Sequence, residues 1–152
     1  MLAATLHAYL RMPLGIPGHN GLIFMTVFVF GQSFINKPMS GLVSAIGASS
    51  LLYLNVLGFK DQYIFIPYIL IGVIMDLLGT IPVKGKWRFL FIGIIAGIAY
   101  TCIPLHRFII MSIGLYQNGA ILKFGLPITI LSHFAFALSG GMLGYFTNKA
   151  IK

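Results

Sequence analysis

Acid is nearly missing from this sequence. Asp61 and Asp76 are its only carboxylate side chains and glutamate does not occur. No paired-carboxylate arrangement results, and only Asp76 falls within an apolar span, so intramembrane proteolysis by two aspartates is excluded as well. Charge of either sign is scarce, at 8% of residues, where a soluble domain carries about a quarter. Cysteine is reduced to Cys102, so no disulfide framework and no Cys-based zinc motif can form. HExxH, GxSxG, a Gly-rich phosphate loop and a Walker motif are missing too. The sequence therefore predicts no enzyme, no cofactor and no ATP hydrolysis of its own.

What is present is apolar length. Hydrophobic residues make up 59% of the 152. Uncharged stretches at Met12–Asn36, Pro38–Phe59, Phe89–Leu105 and Phe124–Asn148 approach or exceed the ~20 residues that cross a bilayer. Gly, Pro and charge punctuate the chain into spans near 20–35, 39–57, 63–81, 87–105 and 124–147. The opening stretch 2–12 adds a short first span, and 108–118 reads as a short interfacial or re-entrant helix. The first ten residues lack a basic start, so no cleaved signal peptide is expected. The predicted fold is an all-α integral membrane protein, one transmembrane domain over 1–152 with about six helices in a single bundle.

The formal net charge of +8 does not point to nucleic acid, because the cations stand singly at the ends of apolar runs and not in one patch. They orient the chain instead. Alternate connections carry Lys37, then Lys84, Lys86 and Arg88, then Lys149 and Lys152, against Arg11, Lys60, Arg107 and Lys123. The richer side is expected to be cytoplasmic, with both termini inside a cell membrane. Small residues four apart at Ala4/Ala8, Gly41/Ala45, Ser44/Ala48, Gly93/Gly97 and Gly140/Gly144 predict close helix contacts.

Few residues can carry chemistry. Asp76 lies inside a predicted span, where an ionised carboxylate needs a partner or water. It reads as a functional group, or as a salt bridge or helix cap toward the basic loop 84–88, about two helical turns on. His133 is mid-span, a position that more often serves a hydrogen bond to a neighbouring helix. The segment 13–21, with two prolines and three glycines around His19-Asn20, predicts irregular backbone lining a cavity. Together with Lys60-Asp61 and His106-Arg107 it forms a set of outward loops, and Arg11, His19, Asn20, Asn55 and Arg107 are the candidate solute ligands. His19, His106 and His133 are spaced too far apart for a metal motif, although imidazole suits nickel or cobalt. Aromatics such as Tyr53, Tyr63, Tyr68, Trp87 and Tyr100 read as interfacial anchors and packing.

In its short spans, its Ala4/Ala8 pair and its Pro/Gly loop at 13–20, the chain resembles the substrate-binding S component of energy-coupling factor (ECF) transporters. It is most similar to the biotin-type, vitamin-binding branch, whose first loop is Pro-rich and whose third helix is rich in small residues. The cobalt-binding branch carries His directly after the initiator Met, where this chain has Leu2. The resemblance implies vitamin-like uptake, with loops 13–20, 58–62 and 105–123 over the solute. It also implies an Ala4/Ala8 face docked on a coupling transmembrane subunit, and separate ATPase subunits. The alternatives are a membrane scaffold without a ligand, or a cobalt/nickel uptake subunit.

Overall fold

A computed structural model describes residues 15–35, 37, 39–53, 63–79, 81–83, 85–115 and 117–151, with the side chains of Phe34 and 51–53 excepted. Ala4, Ala8, Arg11 and Asn55 lie outside these residues. All regular structure among them is helical: α1 (Asn20–Ile35), α2 (Ser40–Tyr53), α3 (Phe65–Gly79), α4 (Arg88–Tyr100), α5 (Cys102–Ser112), α6 (Gly119–Phe124) and α7 (Leu126–Ile151).

Proline decides many of the boundaries. Pro67, Pro104 and Pro127 each fall in the first turn of α3, α5 and α7, where the missing N–H had no helical partner to lose. α1 ends shortly before Pro38 and α3 shortly before Pro82, as the restriction on the residue preceding proline requires. The expected 87–105 span runs on into the first part of the expected 108–118 helix: Arg88–Ser112 is helical but for Thr101, and 113–115 turn out of it. Pro104 opens a new helix there instead of closing one, and Thr101 N–H donates back to the Gly97 and Ile98 carbonyls.

Two stretches, Arg88–Ser112 and Leu126–Ile151, are long and apolar enough to cross a membrane. The other principal helices, α1, α2 and α3, have 16, 14 and 15 residues. Over the described residues the longest of them reaches about 24 Å, less than the ~30 Å hydrocarbon core.

α7 is the centre of the bundle, packed on α1 and α4, while α2 pairs with α3 and α3 leans on α4. The small residues mark these seams. A Cβ on Gly140 would strike the carbonyl of Leu22, and one on Gly144 would lie 2.5 Å from the carbonyl of Thr26. Gly97 faces the Phe134 ring, Gly141 faces Ala96, and Gly72 faces Ala45 and the Gly41 carbonyl. The Gly140/Gly144, Gly93/Gly97 and Gly41/Ala45 pairs thus close contacts within the chain. Gly140→Ala, which pushes on backbone that cannot rotate away, is expected to cost about 1–3 kcal/mol. Gly31→Ala is the control: its Cβ meets open space within α1, so the variant should melt at or above the wild-type temperature. Equal melting of Gly140→Ala and wild type would show that the α1–α7 seam has slack.

The core between the seams holds Phe24, Met25, Phe28, Ile71, Ile95 and Ala96. Facing outward, by contrast, are Val43 and Leu131 at 68% exposure, with Leu77, Leu122, Ile109 and Ile98 also exposed. The helices are apolar on both the packed and the open side.

Candidate functional site

The loop before α1 is built on glycine. Gly15 and Gly18 have φ of 62° and 81°, a region that favours glycine. The Gly18 carbonyl accepts from Gly21 N–H, starting α1, and His19 Nδ1 lies 2.6 Å from the Ile16 carbonyl, closing the loop on itself. Gly18 rests directly on α7: a Cβ there would sit 2.7 Å from the His133 Cα. Only a residue without a side chain lets the loop lie this low.

Beneath the loop is a cavity of about 260 Å³ lined by Pro17, Gly18, Asn20, Ile64, Tyr68, Tyr100, Ile103, Arg107, Ala120 and His133. Tyr100, Ile103 and Arg107 are spaced i, i+3, i+7 across the Thr101 break and so share one face. Ala120 arrives from α6, which starts where the Asn118 side chain accepts the N–H groups of Ala120 and Ile121. Gly125, at φ 78°, then turns the chain into α7.

The polar groups of the cavity are complementary. His133 Nδ1 is 2.7 Å from the Thr129 carbonyl. A carbonyl only accepts, so Nδ1 carries the proton and Nε2 of the neutral ring is an acceptor. The ring stacks on Tyr100, with centroids 5.7 Å apart and planes 28° from parallel. Tyr68 and Tyr100 stand close enough to interact, and Tyr68 meets Phe24 edge-on at 4.9 Å. Asn20 Oδ1 is buried with no hydrogen-bond partner among the described residues. Arg107 lies close enough to act electrostatically on Tyr68, Tyr100 and His133. One cation, the imidazole acceptor and an aromatic wall can together hold a small solute that carries an acidic group at one edge and an N–H or O–H at another.

Of the residues expected from sequence, Asn20 and Arg107 therefore line one cavity, joined by His133. His19 neighbours His133, but its ring shapes the loop and does not line the cavity. Tyr68 and Tyr100, expected as interfacial anchors and packing, are 2% exposed and form part of the cavity wall. An aromatic near a span end carries the same sequence signature in either role. His19, His106 and His133 do not assemble a metal-ligating group, and no cluster of three or more His, Cys, Asp or Glu occurs among the described residues.

Asp76 is a cap, and its partners among the described residues lie on α1 and α2. Its Oδ1 accepts from Gly41 N–H at 2.9 Å and Gln32 Nε2 at 3.0 Å, and its Oδ2 accepts from Leu42 N–H at 2.7 Å. The carboxylate of α3 thus closes the N-terminus of α2, where the helix dipole and free N–H groups favour an anion. Asp76 lies at the end of the bundle away from the cavity, near Lys37, Arg88 and Lys149. Arg107 stands at the cavity end.

Compared with protein families, curated proteins and solved structures, the chain matches none.

Proposed function

We propose that the chain is a multi-pass membrane subunit that captures a small, vitamin-like solute from outside the cell and passes it to separate energising subunits of an importer. In this reading the 260 Å³ cavity faces outward and both termini are cytoplasmic. The exposed apolar side chains of α2, α3, α5 and α7 meet lipid, since helices apolar on every side are either wholly buried or bathed in a bilayer. The partners are a coupling transmembrane subunit and ATPase subunits, as in the ECF transporters whose S components the sequence resembles.

The observation that carries the reading is the cavity under Gly18, with Arg107, Asn20 and His133 in its lining. At about 260 Å³ it is near the lower end of ligand sites, roughly 300–1,000 Å³, so the solute is small.

Thermal-shift measurement of the purified protein against water-soluble vitamins and divalent metals tests the proposal. A solute present at about 100 times its Kd should add about 2.7 kcal/mol of stability. A membrane scaffold without a ligand gains nothing from any compound, and that flat result would sink the importer reading.

A further inference from the structure

At the end of the bundle opposite the cavity, an open cleft of about 890 Å³ lies among the ends of α1, α3 and α7 and the starts of α2 and α4. Its charged lining is Lys37, Arg88, Lys149 and Asp76. The three cations are exposed and come from separate elements: the α1–α2 connection, the first residue of α4 and the last turn of α7. Against them the described lining holds one carboxylate, Asp76, so the balance there is two positive charges. Asp76 is already committed to Gln32, Gly41 and Leu42. Three like charges around one space concentrate anions there.

The rest of the lining narrows the anion. Ser33 and Asn148 add hydrogen-bond donors, and Met39 and Leu77 bring exposed apolar surface into the same cleft. Trp87, beside Arg88, is exposed with Lys86 Nζ 5.8 Å from its ring centroid, an arrangement suited to the headgroup level of a bilayer. The cleft is also far larger than a free phosphate fills.

We infer that this cleft binds an anionic phospholipid, with Lys37, Arg88 and Lys149 on the headgroup phosphate and Met39 and Leu77 against the first methylenes of its chains. Basic pockets between helices on the cytoplasmic side recognise headgroups in this way. The inference rests on the bilayer reading above but is independent of the solute and its cavity.

The test compares melting in nanodiscs of phosphatidylcholine alone and of equimolar phosphatidylcholine and phosphatidylglycerol, with no solute present. Phosphatidylglycerol should raise the wild-type Tm by roughly 5 °C or more. The variant Lys37→Gln/Arg88→Gln/Lys149→Gln should lose that rise, and each single variant should lose part of it, so the single variants decide if the triple one cannot be purified. Lys123→Gln, at the cavity end, should keep it. The inference is overturned by three results: no rise in the wild type, an equal rise in the cation variants, or a full rise produced by soluble glycerol phosphate in phosphatidylcholine discs. The last would assign the cleft to a soluble phosphate compound.

Discussion

Asp76→Ala is expected to lower stability by about 2–4 kcal/mol, because it strips an acceptor from three donors at once. The Gly41 and Leu42 N–H groups stand at the start of α2, where no helical carbonyl can reach them. Each buried donor left unmet costs about 1–3 kcal/mol, less where water can enter, and the dipole of α2 loses its counter-charge. For a chain of this length the loss corresponds to a fall in Tm of roughly 5–15 °C. Asp76→Asn retains an acceptor but not the charge and should fall between the two. Gln32→Leu, which removes only the Nε2 contact, should cost least. A solute-binding role for Asp76 would show the reverse pattern, with melting unchanged in Asp76→Ala and solute affinity lost.

Arg107→Ala should act on affinity. If the solute carries a carboxylate, losing a charge-assisted hydrogen bond should weaken binding by about 1.5–3 kcal/mol, or about ten- to a hundredfold. Arg107→Lys keeps the charge without the planar fork and should recover part of it. The decisive comparison uses a solute analogue whose acid is replaced by an amide, titrated by calorimetry. Wild type and Arg107→Ala should bind that analogue nearly alike. If the variant weakens acid and amide equally, Arg107 serves the shape of the cavity and not the anion.

Much of this arrangement was legible in the residues. The spans at 20–35, 63–81 and 124–147 lie within a few residues of α1, α3 and α7, because the Pro, Gly and Lys that bound them stop helices for local reasons. The irregular 13–21 segment was legible as a cavity edge, and Asn20 and Arg107 as its polar members. What escaped was long-range. The partners of Asp76 are mainly backbone amides of another helix, which leave no signature in side chains. The Tyr100–Ile103–Arg107 face was hidden because His106-Arg107 reads as a break, whereas Pro104 starts α5 and carries the helix past it. Tyr68 and Tyr100 could be placed inside only once α3 and α4 were seen to lean together over Phe24.

The glycines of α7 also set how the helix can change. Along one side, at Gly140, Gly141 and Gly144, the neighbouring atoms are backbone carbonyls and packed side chains of α1 and α4, so mutational tolerance there falls to a single amino acid. On the opposite side of the helix, Leu131, Leu143 and Phe146 are exposed and ask only for apolarity, so many residues serve. Drift in this helix is therefore confined to a stripe, and two chains that share the fold can differ at most outward positions of α7 while their inward glycines coincide.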